Sequence, residues 1–547
     1  MDEAKRVGKG TVELVGGCCT RAVFPLPLGE GARIDMLERR DFLKTFLASG
    51  AGALLLTAPA GIRALASGMI HLSQADGPWE ILYPQILNRI QAPVFPKRDF
   101  EVTKFGAAGD GKADCTEAFR KAIEACNKAG GGRVVVPAGE FSSGAIHLKS
   151  NVNLHVTKGA TIKFDRDPKK YLPLVFTRWE GMELMNYSPF IYAFEQKNIA
   201  LTGEGIMDGN ADCDHWWSWK GRTGCGWKKG DPEQSKARTL LYDYVAKATP
   251  VSQRVFGEGS YLRPQFIQPY GCQNVLIEGV TLRHSPMWQI HPVLCTNVTI
   301  RGVHVQREAS ATDQTGPNTD GCDPESCTDV LIEDCYFATG DDCIAIKAGR
   351  NDDGRRVAVP SQNIIIRNCH MEDGHGGITV GSEISGGVRN VFAMNCNLNS
   401  PRLDHALRFK NNAMRGGVLE NLFFRDITVG EVAHAAITVD FNYEEGANGK
   451  YTPVLRNLQV QNLRSGKSQY PMDLQGFPNA PITDVRLVDC TFDNTARPSI
   501  VKNVRGLSLR NVRVNGKLLS ETKAPVGAVP RDGRIAPLES GRQPRSG

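Results

Sequence analysis

Asn297-Val298-Thr299-Ile300-Arg301-Gly302, Asp329-Val330-Leu331-Ile332-Glu333-Asp334 and Asn363-Ile364-Ile365-Ile366-Arg367-Asn368 are three copies of one short pattern: Asn or Asp, an aliphatic residue, any residue, another aliphatic residue. Alternation of this kind over β-branched residues signals a strand with one buried face. Further copies begin at Asn151, Asn198, Asn274, Asn390, Asn421, Asn457 and Asp484, and from Asn274 onward successive copies start 23, 32, 34, 27, 31, 36 and 27 residues apart. A repeat of this period makes a solenoid, in which each coil buries its apolar side only against its neighbours. Helical repeats would instead need apolar residues three and four apart over two long segments. The pattern therefore predicts an all-β fold, a right-handed parallel β-helix.

The flanking sequence fits that frame. Cys272, Cys295 and Cys327 share one phase of the repeat, and Cys335, Cys369, Cys396 and Cys490 another, so they read as small buried side chains stacked on successive coils. Cys213 and Cys225 stand outside the repeat and could form a disulfide across a loop. Before the repeat, Ala118, Phe119, Ala122, Ile123 and Cys126 fall on one face of a helical pattern, which would cap the open end of the solenoid. Residues 208–265 interrupt the repeat and carry Trp216, Trp217, Trp219 and Trp227, a long excursion whose aromatics could pack onto the body or stack on sugars.

At the N-terminus, Arg39-Arg40-Asp41-Phe42-Leu43-Lys44 precedes an apolar stretch of small residues, with a small-x-small site at Ala64-Leu65-Ala66. This is the pattern of a twin-arginine export signal. The expected organisation is a signal region over 1–66, an N-terminal extension over 67–100, a β-helix over 101–516 and a disordered tail over 517–547. The mature protein would work as a monomer in the periplasm or outside the cell, with no membrane attachment once the signal is removed. Net charge is +6 for the whole chain. That is too mild to argue for nucleic acid.

Four polar clusters recur about one coil apart: Asn318-Thr319-Asp320, Gly340-Asp341-Asp342, Gly374-His375-Gly376 and Arg408-Phe409-Lys410. Residues at one phase of successive coils form a row with neighbours ~4.8 Å apart. Hydrolysis of a glycosidic bond needs one carboxylic acid to protonate the leaving oxygen and one carboxylate to take a proton from water. Clustered aspartates repel one another as anions, which favours a proton on one of them. The i, i+2 spacing of Arg408 and Lys410 puts two cations on one face of a strand, suited to a substrate bearing carboxylates, and turns Phe409 inward.

At these residues the chain resembles glycoside hydrolase family 28, the polygalacturonases, whose four signatures are Asn-Thr-Asp, Gly-Asp-Asp, Gly-His-Gly and Arg-Ile-Lys in this order. Phe409 in place of Ile is the one departure, and the likeness spans roughly residues 100–515. The resemblance implies hydrolysis of the α-1,4-galacturonosidic bonds of polygalacturonate with inversion. Asp341 would be the general acid, Asp320 and Asp342 would hold and activate water, and His375 would tune the acid. Asn318, Arg408, Lys410 and Tyr443 would contact substrate, with no metal or other cofactor. Gly349–Arg356 and Gly381-Ser382-Glu383 look like exo-acting members of the family. Rhamnogalacturonan or xylogalacturonan hydrolysis, calcium-dependent pectate elimination, and a non-catalytic carbohydrate-binding β-helix are the competing readings.

Overall fold

A computed structural model describes residues 77–519, apart from residue 222 and residues 307–315. The segment expected to be an export signal and the tail beyond residue 519 lie outside the described residues. No helix among the described residues is long and apolar enough to cross a membrane.

The repeat forms a parallel β-helix. Strands Gln273–Glu278, Thr296–Arg301, Thr328–Glu333, Ser361–Arg367, Val388–Leu398, Val418–Glu431, Val454–Lys467 and Ile482–Val488 pair in parallel, each with the next coil. Register places Val275, Val298, Val330, Ile364, Val391, Leu422, Leu458 and Val485 in one column inside the solenoid. All are buried. The first strand of the solenoid is Asp99–Glu101 and the last is Lys517–Leu518.

Why each copy starts with Asn or Asp is explained by the corner it occupies. Asn274, Asn297, Asp329, Asn363, Asn390, Asn421 and Asn457 all have φ between 56° and 59°. Asn and Asp tolerate this left-handed conformation better than other residues bearing a Cβ. Their side chains form a ladder: Asn390 Nδ2 donates to Asn363 Oδ1 at 3.0 Å, Asn421 to Asn390 at 3.1 Å and Asn457 to Asn421 at 2.8 Å.

Asp329 has no N–H to pass upward, and the ladder is completed there by the N-terminal extension. Gln91 N donates to Asn297 Oδ1 at 2.9 Å, and Arg89 binds both oxygens of Asp329 at 2.8 and 3.1 Å. The helix Leu82–Arg89 buries Ile86 against Leu331, Ile365, Phe392 and Phe423. These are the middle residues of their copies, expected to face solvent. Here both faces of the strands are buried, because the extension covers the outer one.

The helix Thr116–Lys128 buries the five residues named from its pattern and packs on the first strands. The cysteines in the two columns are free and buried. Each Sγ donates to a backbone carbonyl two residues back, as Cys295 does to Val293 O at 3.3 Å and Cys369 to Arg367 O at 3.2 Å. Cys213 and Cys225 form a disulfide. Of the tryptophans in the excursion, Trp216 and Trp217 are buried against the body, where Trp216 meets the rings of Tyr171 and Phe190 and Trp217 Nε1 donates to Ser285 O at 2.9 Å. Packing, not sugar stacking, accounts for those two.

Candidate active site

A second sheet of the solenoid carries the polar row. Its parallel strands Ile344–Ile346, Gly374–Val380, Leu403–Lys410 and Ala435–Asp440 align Ile344, Ile378, Leu407 and Ile437 in one inward column. A bridge from Cys322 to Ile344 adds the preceding coil. Phe409 is buried, as its spacing predicts, while Arg408 and Lys410 face the cleft.

Glycines flank His375 for a steric reason. Gly374 has φ of 134°, and a Cβ there would lie 2.1 Å from the carbonyl oxygen of Asp341; one on Gly376 would lie 2.8 Å from Asp342 Oδ1. Larger residues would force the two coils apart and separate the groups that meet between them.

The four clusters converge. His375 Nδ1 is 3.0 Å from Asp341 Oδ1, and Asn318 Nδ2 donates to Asp341 Oδ2 at 3.3 Å. Lys410 Nζ donates to Asp342 Oδ2 at 2.6 Å, and Arg408 Nη1 to Asp342 Oδ1 at 3.3 Å. Asp320 lies against Lys347, with Nζ 3.6 Å from its Oδ2. Tyr443 covers the two cations, its ring centre 5.1 Å from Lys410 Nζ and 5.6 Å from Arg408 Cζ, within cation–π range. Asn318 Oδ1 accepts from Lys220 Nζ at 2.7 Å and Arg263 Nη2 at 2.8 Å, which turns its amide N–H₂ toward Asp341.

The three aspartates therefore differ in charge state. Burial opposes ionisation of Asp341, but the charge and hydrogen bond of His375, with Lys410 and Lys347 behind, hold it well below the usual carboxylate range. Burial likewise opposes ionisation of Asp342, and Lys410 and Arg408 prevail, keeping it low. Asp320 goes the other way: burial, then the charge of Asp341, push it up to about 8 against the pull of Lys347. For His375, burial favours the neutral ring, but Asp341 raises its affinity for a proton.

One carboxylate oxygen from each aspartate lies within 4.8 Å of the others, a spacing one cation could span. Lys410 and Lys347 already provide positive charge there, and we assign no metal to the cluster.

The site also contains residues that sequence reading did not pick out. Trp288, Lys347 and Glu180 line the cleft, a space of about 410 Å³, together with Arg350, Glu383 and Glu444. Several of its lining residues are tied by ion pairs: Arg238 Nε to Glu180 at 2.7 Å, Arg350 Nη1 to Glu383 at 3.0 Å and Arg350 Nη2 to Glu444 at 2.9 Å. Arg238 comes from the helix Ser235–Ala246 of the excursion, and Arg350 immediately precedes the helix Asn351–Val357.

Comparison with known proteins agrees with this geometry. The model of glycosyl hydrolases family 28 matches residues 256–512, which contain all four clusters, and the model described as rhamnogalacturonase A/epimerase, pectate lyase-like, matches residues 100–162. An exo-poly-alpha-D-galacturonosidase of Dickeya chrysanthemi is 30% identical over 476 residues, covering 77% of this chain and 74% of that protein. A probable polygalacturonase of Vitis vinifera is 27% identical over 424 residues, covering 74% of this chain and 77% of its own. Among solved structures, the exopolygalacturonase of Thermotoga maritima superposes with a TM-score of 0.77 at 45% identity, over 80% of this chain and 97% of that one. With the four clusters brought into one cleft of a parallel β-helix, and relatives of this similarity along most of its length, the chain belongs to glycoside hydrolase family 28.

Proposed function

We propose that this enzyme hydrolyses α-1,4-galacturonosidic bonds of polygalacturonate from a chain end, with inversion, after export by the twin-arginine route. The observation that carries the reading is the meeting of three aspartates with two cleft-facing cations, Arg408 and Lys410. The two relatives named as exo-acting, at 30% and 45% identity, support the substrate and the mode of attack.

In the free protein Arg408 and Lys410 serve Asp342. An entering galacturonate carboxylate would share them, weakening the pull that keeps the aspartates ionised. Asp341 would then draw the proton from His375 across their hydrogen bond and deliver it to the glycosidic oxygen as the C1–O bond breaks. Water held by Asp342 and Asp320 would attack C1 from the opposite side and give up its proton to a carboxylate, so the net change is addition of one water. The roughly 6.5–9.5 Å usual between the carboxyl groups of inverting enzymes exceeds the spacing here. The water would therefore sit over the Asp320–Asp342 side and not between two opposed carboxylates.

Chromatography of early products on polygalacturonate tests the reading. Release of monomer from the outset, saturated and undiminished by EDTA, is expected. A ladder of oligomers would exclude exo action. Ultraviolet-absorbing, chelator-sensitive products would replace hydrolysis by elimination. Proton NMR of the first-formed anomer decides inversion.

A further inference from the structure

Beneath the cleft, one buried ammonium faces three carboxylates. Lys347 Nζ lies 3.6 Å from Asp320 Oδ2, 3.7 Å from Asp323 Oδ1 and 3.2 Å from Glu383 Oε2, donates to Gly381 O at 3.1 Å and stands 4.6 Å from the centre of the Trp288 ring. Asp323 is fully buried, and neither of its oxygens accepts a hydrogen bond from a protein group; Asp320 Oδ1 accepts none either. A single ammonium cannot neutralise three carboxylates out of water, so Asp320 and Asp323 compete for it. The charges facing Asp320 are Asp341, Asp342, Lys347 and Lys410, and those facing Asp323 are Asp320, Lys347, Asp342 and Glu383. Nothing in the hydrolytic steps uses Lys347 or Asp323.

We propose that Lys347 and Asp323 are positioning residues for Asp320, the ammonium holding its side chain and the two together deciding which protonation state it presents to the attacking water. Lys347 draws Asp320 toward the carboxylate; burial and the charge of Asp320 oppose ionisation of Asp323, and to the extent that Asp323 takes the ammonium as a carboxylate it draws Asp320 toward the acid. The inference rests on the assignment of Asp320 to the water side of the reaction.

The test compares Lys347→Met, Lys347→Arg and Asp323→Asn in the full chain, with kcat/KM on polygalacturonate measured against pH. The limb of the profile set by Asp320 should move up by about one pH unit or more in Lys347→Met and down by a similar amount in Asp323→Asn. Lys347→Arg should restore it, and the losses should lie mainly in kcat. A limb at its wild-type position in either variant overturns the proposal. So does a rise in KM without a shift in Lys347→Met, which would make Lys347 a direct ligand of the substrate. If Lys347→Met does not fold, Asp323→Asn decides alone.

A second readout needs no substrate. The difference in Tm between each protein and the same protein carrying Asp320→Asn changes with pH around the titration of Asp320, and its midpoint should move in the same two directions. An enzyme inactive on polygalacturonate would sink the proposed function and leave this measurement able to judge Lys347 and Asp323. Midpoints that stay in place overturn the proposal.

Discussion

The row of asparagines from Asn274 to Asn457 and the row from Asp320 to Lys410 climb the same solenoid, and they differ in what one coil asks of the next. In the first, each amide donates to the coil before it and accepts from the coil after it, as Asn390 does between Asn363 and Asn421. Like groups satisfy one another except at Asp329, where Arg89 balances the one carboxylate and Gln91 N replaces the missing donor to Asn297, and repetition is the stable solution. In the second, two coils bring aspartates and the next two bring an imidazole and two cations, and the aspartates Asp341 and Asp342 are held by unlike charges, Lys410 with Asp342 and His375 with Asp341. There the repeat is broken on purpose, because adjacent aspartates without cations would repel one another in a buried setting. Where a solenoid repeats one hydrogen-bonding pattern up a column, that column holds the fold; where a column gathers unlike charges, it offers groups for chemistry.

The sharpest break of this comparison is Asp341→Asn. It removes the proposed general acid but keeps the shape, so kcat should fall by about 10²–10⁴-fold with circular dichroism unchanged. Activity near wild type would remove Asp341 from the acid role.

Lys410→Ala acts on both sides of the comparison, since Lys410 is a buried partner of Asp342 and the proposed cation for substrate. Activity on polygalacturonate should drop by roughly 1.5–3 kcal/mol, the worth of a hydrogen bond to a charged group, and far less on the methyl-esterified polymer, which lacks the anion. Measuring kcat/KM for both substrates on both proteins gives the coupling. Equal losses would make Lys410 structural only.

Asn363→Ala should show the opposite profile. It removes the donor to Asp329 and the acceptor for Asn390 at a position with φ of 59°. A residue with a Cβ but no amide costs roughly 1–2 kcal/mol in this conformation, with about 1 kcal/mol more for the lost hydrogen bonding. Tm should fall while kcat/KM, measured where the protein is folded, stays put. Asn363→Gly, which relieves the backbone, should fall less.

The last test concerns pH. Asp320 has a raised pKa of about 8 in the folded protein, so its contribution to stability is present below its unfolded value near 4 and is lost as pH rises toward and through 8. Asp342 is lowered, so its contribution appears above that unfolded value and is lost as pH falls. Asp320→Asn should therefore gain Tm relative to wild type as pH goes from 4 to 9. A difference flat across that range would show that Asp320 does not titrate where its burial places it.

Much of this molecule is written along the chain. A β-helix strand buries alternate residues, so Val298 and Ile300 announce both the strand and its inner face; a column repeats every coil, so Cys295 and Cys327, or Asp341 and His375, can be set in register by counting. Asn in the left-handed corner is a local preference as well. The four polar clusters could be found for the same reason, as they occupy fixed phases of a countable repeat.

What lies off the repeat could not be read this way. Lys347 follows Ile344-Ala345-Ile346 and looks like the polar end of a strand; only folding sets it against Asp320, Asp323 and Glu383. Ile86 and Phe392 are hundreds of residues apart and meet because the extension crosses the outer face of the sheet, burying residues that alternation assigns to solvent. Three aspartates of one type acquire different protonation because charge state depends on burial and on the distance to His375, Lys410 and Lys347. The sequence by itself determined the period, the inner face and the members of the polar row, because each is set by neighbours one coil or less away. Tertiary structure alone decided which groups share a low-dielectric pocket, because energies there depend on separation in space and not on separation along the chain.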